Sequence, residues 1–159
     1  MTVAVWRIAT DTPDYTADDL TGEGARQSGG RWNRLGTPMV YAASSISLAC
    51  LETVVHLGTH DLPLNRYLVR VEVPDDVWSG AAQFDARNVG WDAVPAGKLS
   101  LDAGDAWTAS RSSALFIVPS VIIPEETNIL INPRHKDARR VIARKIRRWT
   151  YDARLGRDA

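Results

Sequence analysis

The 159-residue chain is predicted to fold as one α+β domain spanning residues 1–159. Three observations point there. Residues 66–74, RYLVRVEVP, set Tyr67, Val69, Val71 and Val73 against Leu68, Arg70 and Glu72, the period of a half-buried strand. Residues 44–57, SSISLACLETVVHL, carry the signals of a helix. Strands and helices also follow in mixed order rather than strict β-α-β alternation, which favours α+β over a doubly wound sheet.

Taken in order, residues 3–9, VAVWRIA, read as a first strand with Arg7 near its end. Residues 11–30 are a polar, glycine-rich connection, and residues 38–43, PMVYAA, a second strand. The helix over 44–57 has Ser44 or Ser45 as its N-cap and Gly58 as its stop. The strand at 66–74 ends at Pro74, and residues 75–98 read as irregular, with Gly90, Pro95 and Gly97. A helix is expected within 100–114, then strands in 114–124 (interrupted by Pro119) and 127–133. Residues 136–149, KDARRVIARKIRRW, read as a closing amphipathic helix with Val141, Ile142 and Ile146 on one side.

Composition narrows the function. Hydrophobic residues at 45% and charged residues at 24% are those of a globular chain rather than a disordered one. The formal charge is zero, so no overall field draws the chain to nucleic acid or anionic membrane. The charge is nevertheless uneven. Residues 1–25 hold Asp11, Asp14, Asp18, Asp19 and Glu23 against Arg7, whereas residues 134–159 hold ten Lys/Arg against three Asp, an end suited to an acidic partner. Cys50 is the only cysteine, which excludes an internal disulfide and suits a reducing cytoplasm. The N-terminus has no basic region before its short apolar run, so no signal peptide is expected, and no run approaches the 18 apolar residues of a membrane span.

Most standard chemistries find no motif. His56 and His60 are spaced like metal ligands on a helix, but Leu57 stands where a zinc protease carries glutamate; His56 is expected to pack near Glu52 instead. Cys50, within LACLE, reads as a small core residue. Neither a Gly-x-Ser-x-Gly elbow nor a phosphate-binding Walker loop occurs. The basic C-terminal segment lacks interleaved aromatics and reads as a solvated face.

What remains is a cluster in residues 29–57. Glu52 lies mid-helix among Leu48, Leu51 and Val55, where a carboxylate needs an arginine partner or a functional cleft. Arg31 and Arg34 follow a glycine pair that lets backbone approach a ligand, and arginine's planar fork suits phosphate. Tyr41 ends the second strand, either as a core aromatic or as a ring presented to a ligand.

The block GGRWNRLGTPMVYAASSISLACLETVVHL (29–57), followed by ALFIVPSVIIPEETNILINPRH (114–135), resembles the RES-domain family, toxins of bacterial toxin–antitoxin modules. The likeness runs from about Trp6 to His135, with Lys136 departing from the more usual proline. It implies an ADP-ribosyltransferase-like mixed sheet with flanking helices and NAD+ as substrate. Arg31, Glu52, Tyr41 and Ser120 are the implied catalytic set, with Arg7 joining Arg31 and Tyr41 in binding NAD+. It further implies a type II toxin that cleaves the nicotinamide–ribose bond, with phosphorolysis expected and inorganic phosphate as co-substrate. No metal and no cofactor beyond NAD+ are expected. The implied partner is an Xre-type, DNA-binding antitoxin, in an oligomer with the toxin in the cytoplasm, without direct contact to nucleic acid or membrane. The alternatives are a protein ADP-ribosyltransferase, a ribonuclease using His135 and the basic C-terminus, and a non-catalytic partner-binding domain.

Overall fold

Alternation at residues 66–74 becomes the central pairing of the sheet. In the computed structural model, which describes residues 1–57 and 62–156, β1 (Thr2–Thr10) and β3 (Arg66–Pro74) pair antiparallel over nine positions, from Thr2↔Pro74 to Thr10↔Arg66. The remaining strands are β2 (Val40–Ala43), β4 (Ala82–Gln83), β5 (Leu115–Pro119), β6 (Thr127–Ile131) and β7 (Ile142–Arg148). They form one seven-stranded sheet in the order β4-β5-β6-β2-β1-β3-β7, with only β4–β5 parallel. The mixed sheet is the α+β arrangement expected from the mixed element order.

Residues directly opposed in neighbouring strands share a face, so register sorts the side chains. Val5, Val40, Ala42, Val69, Val71, Leu115, Ile129 and Ile131 fill one face, under Ala17 and Leu20 of the 11–22 segment and under α3 (Asp75–Ser79). On the other face, α2 (Ile46–Val54) sets Leu48 and Ala49 against Ile8, Ala43 and Leu68. Beside it an aromatic layer of Trp32, Trp91 and Trp107 covers Phe116, Val118 and Leu130. Both faces are therefore buried over β1, β2, β5 and β6, which accounts for the apolar runs in these strands.

Ser45 caps α2, its side chain accepting from the amide of Leu48. The expected stop, Gly58, lies outside the described residues, as does His60. Helix α1 (Glu23–Ser28) interrupts the glycine-rich connection, α3 and β4 occupy part of the stretch read as irregular, and α4 (Lys98–Ser110) is the helix expected from 100–114.

The closing helix is a correction. Residues 136–140 form a 3-10 turn, Lys136–Arg140, and residues 142–148 form β7, paired antiparallel with β3 from Glu72↔Ile142 to Tyr67↔Arg148. A helix here would leave the outer backbone groups of β3 without partners, and β-branched Val141, Ile142 and Ile146 suit a strand. A register shift at Leu68/Val69 leaves Ile146 as a bulge in this charged edge strand.

Candidate active site

Glu52 projects from α2 toward β6. Its Oε1 accepts from Ser120 Oγ and from Asn128 Nδ2, each at 2.7 Å. The proton direction at Ser120 is settled by its neighbours. Its Oγ also accepts from the amides of Ile122 and Ile123, both at 3.1 Å, so its one hydrogen is left for the carboxylate. Ser120 is fully buried. Asn128 presents nitrogen, not oxygen, to an acceptor-only carboxylate for the same reason. Two donors thus converge on one oxygen, and Oε2 accepts no hydrogen bond among the described residues.

Arg31 stands at the corner of a tight turn closed by the Gly30 amide donating to the Asn33 carbonyl, 2.9 Å. Three supports hold that turn. The Tyr41 hydroxyl donates to Asn33 Oδ1 at 2.6 Å and accepts from the Trp32 amide at 3.1 Å. Asn33, 1% exposed, donates through Nδ2 to the carbonyls of Ala25 and Thr37. Helix α4 presses on Trp32 so closely that a Cβ at Gly104 would stand 1.7 Å from its carbonyl oxygen. A Cβ at Gly30 would meet the Tyr41 hydroxyl at 2.7 Å, so the second glycine of the pair is required by close approach.

Arg31 Nη1 donates to the carbonyls of Trp91 and Ala93, at 3.1 and 2.7 Å, clasping the 85–97 loop. Its other N–H groups make no hydrogen bond among the described residues. Burial lowers its pKa, while the nearby charges of Glu52 and Asp92 oppose that shift, which places guanidinium and carboxylate within electrostatic reach. Burial raises the Tyr41 pKa, so the phenol stays protonated and serves as the hydrogen-bonding post described above. The structure therefore brings together Arg31, Tyr41, Glu52 and Ser120.

Arg7 it does not. Trp6 pairs with Ala43, and Ala43 with Asn128, so these three share the face of Glu52 while Arg7 points to the opposite face. There Arg7 Nη1 donates to the Tyr41 carbonyl at 2.7 Å, filling the gap where the β1–β2 ladder stops after one pair. Desolvation pulls its pKa down to about 10, against the pull of Asp19. It supports the strand of Tyr41 rather than gripping a ligand beside Glu52. Arg34 is likewise engaged elsewhere, forming ion pairs with Asp102 (2.7 Å) and Asp105 of α4, both of which raise its pKa.

His56, expected to pack near Glu52, is exposed. Cys50 is half-buried against the α2 core, and burial raises its thiol pKa, as suits a packing residue. No group of three or more metal-ligating side chains occurs among the described residues. The sequence reading missed Asn128 and Asn33. The signal for Asn128 was present, since it occupies an inward position of TNILI that alternation assigns to an apolar residue, the one shared with Leu130.

A carboxylate held by a buried serine on a mixed sheet, faced by an arginine on a tight turn, is the combination that the RES-domain model describes. That model matches residues 4–153, and the chain belongs to the RES-domain toxin family. Among curated relatives, the chain is 58% identical to the "Prs ADP-ribosylating toxin" of Sphingobium sp. (strain YBL2), over 100% of both chains. It is 39% identical to "Toxin Res" of Pseudomonas putida KT2440, covering 95% of this chain and 98% of that one. Among solved structures, the crystal structure of the M. tuberculosis MbcT–MbcA toxin–antitoxin complex shares the fold, with a TM-score of 0.65 at 17% identity, over 91% of this chain and 82% of that chain.

Proposed function

We propose that this chain is the toxin of a toxin–antitoxin pair and that it cleaves the nicotinamide–ribose bond of NAD+. One observation carries the reading: the Glu52 carboxylate is fixed through Oε1 while Oε2 stays free of protein donors, within electrostatic reach of Arg31.

The chemistry follows from charge. Breaking the N-glycosidic bond of NAD+ builds an oxocarbenium-like ribose. The free edge of Glu52 stabilises that cation and accepts from a ribose hydroxyl. Nicotinamide departs neutral from a cationic ring, so no general acid is needed, and one carboxylate suffices. Ser120 and Asn128 hold the carboxylate in place before the cation develops. The remaining N–H groups of Arg31 take the pyrophosphate in bidentate fashion. Tyr41 keeps the Arg31 turn in position and offers its ring edge to the nicotinamide. The substrate is found in the cytoplasm, where the toxin would act, restrained by an antitoxin; the sequence resemblance makes that antitoxin Xre-type.

For the acceptor, ADP-ribosyl transfer to a protein is the favoured reading. Phosphorolysis drew its support from spare arginines, and Arg7 and Arg34 are both committed elsewhere. A relative with 58% identity is named for ADP-ribosylation of Prs. The test is incubation of antitoxin-free protein with adenine-labelled NAD+, alone, with phosphate at constant ionic strength, or with Prs. Label on Prs supports transfer. Phosphate-dependent ADP-ribose-1″-phosphate restores phosphorolysis, free ADP-ribose indicates hydrolysis, and intact NAD+ in all arms refutes the enzyme.

A further inference from the structure

On the sheet face that carries Glu52, α2 packs over β1 and β2. Part of β1, β3 and β7 extends beyond its cover. Register sets what stands there: Trp6, Arg70 and Arg144 form one row across the three strands, and Ala4, Glu72 and Ile142 form the next. Past the bulge at Ile146, Arg147 opposes Leu68 on the same face. Ile142 and Ile146 are about half exposed, at 49% and 50%. Beyond β7 no strand follows, so its outer backbone groups form an open sheet edge among the described residues.

The charges there are unbalanced. Arg70 and Arg144 stand directly opposite one another, an unfavourable like-charge pair. A single carboxylate serves both, with Glu72 3.3 Å from Arg70 Nε and 4.0 Å from Arg144 Nε. Two of the guanidinium groups also lie on indoles: Arg70 5.5 Å from the Trp6 ring centre and Arg147 4.6 Å from that of Trp149. Stacking of this kind orders arginine while leaving N–H edges for bidentate contact with carboxylates.

We propose that this surface, together with the open edge of β7, docks an acidic, extended segment of a protein partner, the antitoxin. The identity of the partner rests on the toxin–antitoxin reading above; the surface itself is distinct from the Glu52 cleft, across α2 from it. A second copy of the chain fits poorly, because a two-fold contact would bring the same arginines together. Nucleic acid fits less well than carboxylates, because base stacking needs free aromatic faces and each tryptophan already carries an arginine. The exposed isoleucines and unpaired backbone of β7 suit an added strand, whose acidic side chains would meet the arginines.

The test uses the full chain co-expressed with its antitoxin. Hydrogen exchange of the unmodified complex should show protection over residues 66–72 and 142–148 relative to the chain alone. The double variant Arg144→Glu/Arg147→Glu should bind antitoxin at least about tenfold more weakly, with a shallower salt dependence, while unchanged turnover of NAD+ shows an intact fold. Protection confined to residues around Glu52, with 142–148 exchanging as in the free chain, overturns the proposal. So does a single-stranded RNA oligonucleotide whose binding, unlike the antitoxin's, is lost in the double variant, or a self-association that the variant abolishes. Failure of the wild-type chain to form any complex with the antitoxin removes the toxin–antitoxin reading, and this surface with it.

Discussion

Replacing Glu52 with glutamine isolates one charge, because the surrounding geometry dictates how the new side chain sits. Ser120 and Asn128 both donate to Oε1 at 2.7 Å. Glutamine satisfies both only with its carbonyl oxygen at that point, since its amide nitrogen donates and cannot accept. The amide nitrogen is thereby assigned to the place of Oε2, the atom proposed to face the ribose cation. Two charge-assisted hydrogen bonds become neutral, costing about 1 kcal/mol each, so the unfolding free energy should fall by about 1–2 kcal/mol. Turnover should fall by at least about a hundredfold, or roughly 2.7 kcal/mol of transition-state stabilisation, because a donor now faces the developing cation. The measurements are the initial rate of NAD+ loss by chromatography, NAD+ affinity by calorimetry and denaturant unfolding of the same preparation. Affinity should stay within about threefold while turnover collapses. Near-wild-type turnover in a folded Glu52→Gln protein would refute the role given to this carboxylate.

Arg31→Lys loses the fork that reaches Trp91 and Ala93, so NAD+ affinity should drop at least about tenfold and proteolysis within 85–97 should quicken; equal affinity would remove Arg31 from pyrophosphate binding. Sequence reasoning alone makes Tyr41→Phe milder than Tyr41→Ala, but the buried hydroxyl holds both Trp32 N–H and Asn33 Oδ1. The Phe variant should therefore lose about 2–4 kcal/mol of stability, measured by denaturant unfolding, with a change below about 0.5 kcal/mol counting against it. Gly30→Ala places a methyl 2.7 Å from the same hydroxyl and should lower both the melting temperature and turnover; an unaltered melting curve would show that the turn yields. The Glu23 carboxyl, held at about 2 by Arg26 and Gln27, has a folded pKa below its ordinary 4.5. Its contribution to α1 is full above pH 4.5 and is lost as pH falls toward 2, which an NMR titration of that carboxyl would follow; a midpoint near 4.5 would show the contacts absent in solution.

The strands at 3–9, 38–43, 66–74, 114–124 and 127–133, and the helix bearing Glu52, were legible because period-2 alternation, apolar runs and a serine N-cap act over a few residues. Arg31, Tyr41, Glu52 and Ser120 could also be proposed from local pattern and family resemblance, and the fold brings them together. The C-terminal segment could not be read the same way. Its spacing of Val141, Ile142 and Ile146 fits a helical stripe, and the competing demand, the unpaired backbone of β3, comes from a strand some seventy residues earlier. The roles of the arginines were equally nonlocal. Arg7, Arg31 and Arg34 look alike in the chain, yet cross-strand register turns Arg7 to the opposite face, Asp102 and Asp105 neutralise Arg34, and only Arg31 keeps N–H groups free near Glu52. Asn128 acquires its role because β6 passes beneath α2. Local propensity selects strand or helix within a window of residues, whereas a side chain's partner is chosen by which strands neighbour each other and in which register, and that choice belongs to the whole sheet.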